Sequence, residues 1–431
     1  MNILIVGGGG REHAIAHKLS QSKRVSKLFC APGNGGIANI ATCVPIKASD
    51  IEGVLQFSKQ NQIDLVVVAP DDPLVLGMVD ALEANGIRAF GPRKNAAIIE
   101  GSKVFSKELM KKYNIPTAGY AVYDDPNTAL AVLKNASYPT VIKAEGLALG
   151  KGVVIAQNFE EAKEAVHAMM EDKIFGDSGN RIVIEEFLTG REVSMLAFTD
   201  GKTIQAMVSS EDHKRVFDLD QGPNTGGMGT ISPSPIYSDA LHQECMKKIY
   251  LPTIQAMNQE GRPFKGCLYF GLIITKDGPK VIEYNARFGD PETQVVLPRL
   301  KTDLLTIFEA IIDEKLADIS IEWDNGAAAC VIMASGGYPA KYATGIEIFG
   351  LEEAEKLSNV IVYHAGTKLE NGKTLTAGGR VLGVTATGRN LNDALETAYK
   401  AVDKIHFDGA HYRKDIGKKQ EESYLYELII R

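Results

Sequence analysis

The sequence predicts an α/β protein of several domains. Three observations carry that reading: strand and helix signals alternate over the first hundred residues, a long β-hairpin follows residue 265, and 431 residues suffice for two to four domains of ordinary size. In the first region "NILIVG", "KLFCAPG", "DLVVVAP" and "RAFGP" are short apolar runs that end in Gly or Pro. "EHAIAHKLSQ", "IEGVLQFSKQ" and "GMVDALEANG" are helix-like stretches between them. Such alternation builds a parallel sheet with crossover helices and places ligands at the strand C-terminal ends. A helix-like "KVFSKELMKKYNIP" stops at Pro116, and a second α/β region runs to roughly residue 325. In it "TVIKAEGLALGKGVVIA" reads as strand, loop, strand, "FEEAKEAVHAMM" as an amphipathic helix and "RIVIEEFL" as a strand. "GCLYFGLIITKDGPKVIEYNARF" is a hairpin joined by Lys276, Asp277, Gly278 and Pro279. From "AAACVIMASGGYP" onward strands and Gly-rich turns dominate. One clear helix carries Leu391, Ala394, Leu395, Ala398, Val402 and Ile405 along a single stripe.

Composition narrows the function classes. Lys plus Arg number 47 against 54 Asp plus Glu, a formal charge of −7, and no dense basic tract suggests a duplex-binding surface, which argues against nucleic acid as a partner. The N-terminal run "ILIV" is too short for a signal segment and no other run reaches membrane-spanning length, so a cytoplasmic protein is expected. Cys30, Cys43, Cys245, Cys267 and Cys330 are widely spread and lack Cys-x-x-Cys spacing, which predicts reduced, mostly buried thiols.

Two glycine-rich segments suggest phosphate chemistry by unusual geometry. "VIKAEGLALGKGVVIA" is not a P-loop: Gly146 and Gly150 are separated by three residues rather than four, Gly152 stands where the hydroxyl belongs, and a β-type run follows instead of a helix. "GGGGREHA" follows a strand and opens a helix, so its backbone N–H groups are placed to meet an anion. A dinucleotide site fits it poorly, because the third glycine position of Gly-x-Gly-x-x-Gly falls on Glu12 or His13. The second strand also ends in "APGNGG" without an acid for a ribose. A monophosphate site or an unliganded βα turn remain as readings. His13 and His17 lie one helical turn apart, either as a packed pair or as two ligands of a zinc site with no evident third.

"VIEYNARFGDPETQ" is the most informative segment. Alternation on a strand turns Glu283, Asn285 and Arg287 one way and Ile282, Tyr284 and Ala286 the other. A carboxylate and an amide oxygen two residues apart suit Mg²⁺, and a guanidinium beside them suits a carboxylate or a transferring phosphoryl group. The alternative is a solvated polar face; the charged "RFGDPE" that follows favours a site. "DQGPNTGGMG", after Asp212, His213, Lys214 and Arg215, is either a loop that closes on a small anion or a plain surface loop.

Taken in order, "EGSKVFSKELM", "VIKAEGLALGKGV", "VIEEFLTGREVS", "DHKRVFD", "GPNTGGMG" and "KVIEYNARFGDPETQ" resemble the ATP-grasp ligases, and among them the glycinamide ribonucleotide synthetase family. The likeness extends to "GGGGREHA", "APGNGG" and the C-terminal "HAGT" and "RKDIG". It implies an N-terminal parallel-sheet α/β domain over residues 1–103, an ATP-grasp core over 104–326 with a mobile flap near 119–190, and a C-terminal mixed α+β domain over 327–431. The implied activity joins glycine to 5-phosphoribosylamine with ATP in purine synthesis, using Mg²⁺ or Mn²⁺, and allows a transient contact with the enzyme that makes the amine. By the same resemblance Lys103 and Lys143 approach the nucleotide and Gly146, Gly150, Lys151 and Gly152 cover its phosphates. Glu185, Glu186, Phe187 and Leu188 supply adenine contacts, Glu192 is the ribose acid, and Glu283 and Asn285 hold metal. The sugar side draws on Gly9, Gly10, Arg11, Glu12, Asn34 and Asp71. Glycine meets Asp212, His213, Lys214, Thr225, Gly226, Gly227 and Met228 with Arg287, which together with Lys143 is the catalytic expectation.

Two departures stand out. The family more usually has Gly-Pro-Glu where this chain has Ala69, Pro70 and Asp71, and Asp where it has Glu145; both keep charge and change reach. An NAD-dependent oxidoreductase would use the N-terminal pattern but leave the Glu283 strand idle, and a nucleotide sensor would bind ATP without glycine-dependent turnover.

Overall fold

The structure is a computed structural model that describes residues 1–148 and 152–418. Its first unit is a parallel sheet in the order Thr42–Cys43, Lys27–Pro32, Asn2–Gly7, Leu65–Val68, Arg88–Phe90. The strands read as unbroken apolar runs because both faces are covered: Leu4, Val6, Val66 and Val68 enter one core, while Ile3, Ile5, Leu65 and Val67 enter another. Strand order reverses between Asn2–Gly7 and Leu65–Val68. The crevice there is flanked by the Gly8 to Gly10 turn and by Asp71, the first residue of the helix Asp71–Leu76.

The sequence pattern predicts a single helix from Gly77 onward. That helix is present as Met78–Ala84, and an unexpected one, Asp71–Leu76, precedes it; the two are divided at Gly77, whose φ of +95° is the left-handed conformation glycine adopts without a Cβ clash. A further short helix, Leu351–Glu355, also lacked a periodic signal. The expected helices Gly10–Ser20, Ile51–Gln60, Lys103–Lys112 and Leu391–Val402 are present. The last three start at Asp50, Ser102 and Asn390, whose side chains each accept a first-turn backbone N–H.

The flap is an antiparallel sheet in the order Tyr120–Tyr123, Ile182–Glu186, Thr140–Ala144, Val153–Ala156. It packs the helices Pro126–Leu133 and Phe159–Val166 around its own small core of Leu133, Ile142, Ala144, Ala156, Ala162 and Val166. Because those side chains satisfy one another, the flap does not share the main cores. The central sheet runs Ile204–Ala206, Arg191–Thr199, Gly266–Thr275, Gly278–Asn285, the last two being the expected hairpin. The C-terminal sheet runs Glu211–Asp212, Gly229–Ser232, Ala327–Ala334, Arg380–Gly388, Val360–His364 and is backed by Leu391–Val402. Its first two short strands, Glu211–Asp212 and Gly229–Ser232, come from the middle of the chain, so glycine-rich residues near 225 are held directly against C-terminal strands. All five cysteines are free thiols, four of them buried. Among the described residues no helix is long and apolar enough to cross a membrane.

A histidine joint ties the first helix to the C-terminal sheet. The backbone N–H of His364 donates to His13 Nδ1 at 2.8 Å, and the His13 ring packs against Tyr363 and His364. His17 adds an edge contact with Tyr363. This is the packed arrangement, with the His13 nitrogen spent on a backbone partner. Burial pushes His13 from 6.5 down to about 3, with His364 and His17 adding to the shift, and burial pushes His364 down to about 4. Both rings are therefore neutral when folded and take up protons on unfolding below pH 6.5. Their stabilising contribution is whole above that pH and is lost as pH falls towards 4. The thermal unfolding midpoint should drop across this window, and His13→Gln, which keeps an acceptor without a titrating ring, should flatten the drop. An equally steep profile in both proteins would exclude His13 as a source.

Candidate active site

A cleft of about 1550 Å³ opens between the flap and the central sheet and continues beneath the 212–226 segment. On the flap side, Lys143 projects from the strand Thr140–Ala144. Its Nζ lies 3.1 Å from Glu185 Oε1 on the neighbouring flap strand and donates to the Ile282 carbonyl at 3.1 Å on the central sheet. Lys107 Nζ sits 3.0 Å from the other Glu185 oxygen and donates to Thr117 Oγ1. All three charged groups are almost fully buried. Burial pushes Lys107 down to about 8 against the pull of Glu185, and burial also lowers Lys103. Lys103 Nζ donates to the Gly146 carbonyl at 2.8 Å. Gly146 itself packs against Ser178, where a Cβ would come 2.5 Å from the hydroxyl; the Gly152 Cβ position is likewise taken by Ala148. These two glycines thus serve loop packing, while Gly150 and Lys151 lie outside the described residues.

Glu145 resolves one departure. Its carboxylate accepts from Arg181 through two nitrogens and from Ser102 Oγ at 3.0 Å, and its carbonyl accepts the Lys103 N–H at 2.9 Å. Ser102 caps the helix that carries Lys103 and Lys107. Glu145 therefore ties the flap strand to that helix, and the longer stem gives the reach to do so.

The strand Gly278–Asn285 forms the floor. Glu283 and Asn285 face the cleft as alternation requires, and Tyr284 and Ala286 are buried. Ile282 does not follow the expectation: it joins the cleft wall. Glu283 pairs with Gly271 and Val281 with Leu272, so Ile282 is the extra residue of a bulge that shifts the alternation. The Glu283 carboxylate makes no hydrogen bond or ion pair with another described residue, yet Lys103, Lys214 and Arg287 all feel its charge. The Asn285 amide is satisfied with Nδ2 donating to Tyr284 O at 3.2 Å and Glu100 Oε1 at 3.0 Å, which reserves Oδ1 for accepting. An uncommitted carboxylate and an amide oxygen on one strand face fit a hard divalent cation.

Arg287 is anchored behind them. Its Nη2 lies 2.9 Å from Glu100 Oε1, and the other Glu100 oxygen accepts the Ala286 N–H at 2.7 Å. Burial pushes the Glu100 carboxyl up to about 7 although Arg287 pulls it down. Burial also works against Asp71, but Arg287 and Arg11 outweigh it and hold that carboxyl below its usual value. The shorter Asp71 thus keeps a cationic setting. Arg287 Nε is buried with no partner among the described residues.

The far wall carries the acceptor-side candidates. Lys214 Nζ pairs with Glu192 at 2.8 Å; burial opposes its charge, but Glu192 and Glu283 raise it well above the ordinary lysine value. Asp212 is raised well above its ordinary value by burial and then by nearby Glu292. Glu292 accepts from Ser194 Oγ at 2.9 Å, and that hydroxyl lies 3.0 Å from Tyr269 Oη. Thr225 and Gly226 line the wall, whereas Gly227 and Met228 pack behind it. At Gly227, with φ +112°, a Cβ would sit 2.6 Å from Asp212 Oδ1, and Met228 is fully buried. Glu186 is exposed and accepts the Gly119 N–H, and Phe187 and Leu188 follow the end of their strand on the same rim.

Of the N-terminal candidates, Asp71 lines the cleft, whereas Gly9, Gly10, Arg11, Glu12 and Asn34 adjoin it without lining it. Gly9 N–H donates to Glu12 Oε2 at 2.6 Å, Arg11 Nε pairs with Glu12 Oε1 at 2.6 Å, and Arg11 N–H faces Asp290 at 3.5 Å. Gly10 packs on Gln294. Asn34 spends its whole amide: Nδ2 donates to Gly8 O and His364 O, and Oδ1 accepts from Gly36 and Ile37. Residues that sequence reasoning missed are Glu100, Lys107, Asp290, Glu292 and Arg380, which pairs with Asp290 at 3.3 Å and donates to Gly226 O at 2.6 Å. Asp290 and Glu292 stood inside the flagged "RFGDPE", and Glu100 and Lys107 inside "EGSKVFSKELM" without being singled out; Arg380 carries no local signal.

Comparison with known proteins agrees with this geometry. Family models for the phosphoribosylglycinamide synthetase N domain, ATP-grasp (A) domain and C domain match residues 1–100, 101–293 and 328–419. The chain is 51% identical to a phosphoribosylamine–glycine ligase of Caldanaerobacter subterraneus over 96% of its length and 99% of the relative. It is 49% identical to one of Halalkalibacterium halodurans over 97% of each. A crystal structure of phosphoribosylamine–glycine ligase from Thermotoga maritima superposes with TM-score 0.80 at 32% identity, covering 96% of this chain and all of that one. The biotin carboxylase domain of Hydrogenobacter thermophilus 2-oxoglutarate carboxylase shares the fold, with TM-score 0.74 at 15% identity, over 95% and 91% of the two chains.

Proposed function

Since the chain belongs to the phosphoribosylglycinamide synthetase family, we propose that it is an ATP-dependent cytoplasmic ligase that joins glycine to 5-phosphoribosylamine, giving glycinamide ribonucleotide, ADP and phosphate. The observation that carries the reading is the convergence of Lys143, Glu283, Asn285 and Arg287 on one cleft whose opposite wall holds Asp212, Lys214 and Thr225. Oxide is too poor a leaving group for an amine to displace from a carboxylate. A glycine carboxylate oxygen therefore attacks the γ-phosphorus of ATP, the bond to the β-phosphate oxygen breaks, and glycyl phosphate and ADP result. The amine nitrogen of phosphoribosylamine then attacks the acyl carbon, phosphate leaves, and the nitrogen loses a proton.

Catalysis on this reading is positioning and electrostatics, with no protein nucleophile. Lys143 and Lys103 line the cleft and would meet the phosphate chain there, and Arg287 Nε, without a partner among the described residues, is a donor for an anion. Mg²⁺ or Mn²⁺ held by Glu283 and Asn285 would neutralise phosphate charge. The flap keeps water from the acyl phosphate. Gly9 to Glu12, Asn34 and Asp71 would form the sugar side at the sheet crevice, with Arg11 and Arg287 the cations that hold the Asp71 carboxyl below its usual value there.

The test is ADP release with ATP, Mg²⁺, glycine and freshly generated phosphoribosylamine. Release should require both co-substrates. Release with bicarbonate in place of glycine would point to a carboxylase on the same fold, and ATP binding without turnover would point to a sensor.

A further inference from the structure

The C-terminal "RKDIG", residues 413–417, has no part in the chemistry above, yet Arg413 and Asp415 line the same cleft. Arg413 is among the largest fully buried side chains of the protein. Its Nε and Nη2 form a fork with the two Asp415 oxygens at 2.7 and 2.8 Å, which fixes the plane of the guanidinium. The remaining nitrogen, Nη1, reaches across to another part of the chain, donating to Asp220 Oδ1 at 2.8 Å and to the Arg215 carbonyl at 3.1 Å. Asp415 Oδ2 accepts the Leu219 N–H, and the Lys414 N–H donates to Asp218 Oδ1, both at 2.8 Å. His411 Nε2 contacts the Val216 carbonyl at 2.8 Å.

Every one of these partners lies on the hairpin of Arg215–Phe217 and Gln221–Asn224 or on its tip. That tip is unfavourable by itself. Leu219 and Asp220 have φ of +59° and +53°, a conformation side chains resist, and Leu219 is exposed. It persists because the 413–415 segment supplies the donors and acceptors that specify it. The hairpin is also the link between Asp212 to Lys214 on one side and Thr225 and Gly226 on the other, so its placement sets both ends of the acceptor wall. A last tie, Gly417 N–H to His213 Nε2 at 3.1 Å, fixes the residue between Asp212 and Lys214 directly.

We propose that Arg413 and Asp415 are positioning residues which clasp the 215–224 hairpin and thereby shape the glycine side of the cleft. The consequence for glycine rests on the proposed function; the clasp itself does not. Arg413→Gln in the full chain should raise the KM for glycine about tenfold while the KM for ATP stays within about twofold, because the nucleotide lysines sit on other elements. Asp220→Asn removes the hairpin's end of the contact at an exposed residue and should move the glycine KM the same way by about threefold. Hydrogen exchange over residues 215–222 should quicken in both variants. The clasp is overturned if exchange there is unchanged, and its role at the site is overturned if the glycine KM is unchanged or rises in step with that for ATP. Should Arg413→Gln not fold, Asp220→Asn decides alone. If the wild type releases no ADP in response to glycine, it is the functional reading that fails, and hydrogen exchange still decides the clasp.

Discussion

Glu283→Ala should lower turnover by about three orders of magnitude, roughly 4 kcal/mol of lost transition-state stabilisation, while leaving the fold intact. Both halves follow from the same observation. The Glu283 carboxylate makes no hydrogen bond or ion pair with another described residue, so its removal breaks no internal contact. The strand that carries it stays pinned by Val281 and Tyr284 in the core and by its pairing with Gly266–Thr275. What is lost is a carboxylate beside Asn285, uncommitted among the described residues, whose charge Lys103, Lys214 and Arg287 all feel. The variant's circular dichroism and unfolding midpoint should match the wild type, and added Mg²⁺ should no longer shift the midpoint in the presence of ADP. ADP release near the wild-type rate would remove Glu283 from the site.

How far such a site can be seen in a sequence depends on how local its determinants are. That Glu283 and Asn285 share the cleft face was legible because a strand alternates, and it was the charged "RFGDPE" after them that favoured a site over a solvated polar face. The same rule failed one residue away, at Ile282, since a bulge is a property of the pairing with Gly271 and Leu272 and leaves no mark on the strand itself. The parallel sheet was legible from apolar runs ending in Gly or Pro, whereas the break at Gly77 looked like an ordinary helix start. Glu100, the first residue of "EGSKVFSKELM", was passed over for a different reason. It lies in an otherwise unremarkable helix, Lys94–Gly101, and gains its role only by meeting Arg287, 187 positions further on, at 2.9 Å. Arg380, which joins Gly226 to Asp290, is of the same kind. Asn34 illustrates the reverse: its place in a glycine-rich loop suggested ligand contact, and in the folded chain its amide bonds Gly8, Gly36 and Ile37 within the N-terminal unit and His364 of the C-terminal sheet.

Lys143→Met should reduce kcat/KM for ATP by about two orders of magnitude, or roughly 2.7 kcal/mol, and the informative comparison is with Lys107→Met. Both substitutions take one ammonium from Glu185, and both lysines are almost fully buried, so each leaves the other lysine to neutralise that carboxylate. The stability cost should therefore be similar, of the order of a few kcal/mol for breaking a buried pair. The difference lies in where the second bond goes. Lys107 is spent on Thr117, whose hydroxyl in turn donates to Val281 O, an arrangement that braces the helix against the central sheet. Lys143 instead ends at the Ile282 carbonyl, immediately before Glu283, so its charge stands at the junction of the flap and the strand that carries Glu283. A nucleotide phosphate entering between them can exchange the weak carbonyl contact for a charge-assisted one, a gain available to Lys143 and not to Lys107. Equal losses of kcat/KM in the two variants would mean that the two lysines act only as a structural pair. A loss at least tenfold greater for Lys143→Met, at matched unfolding midpoints, assigns the phosphate contact to Lys143.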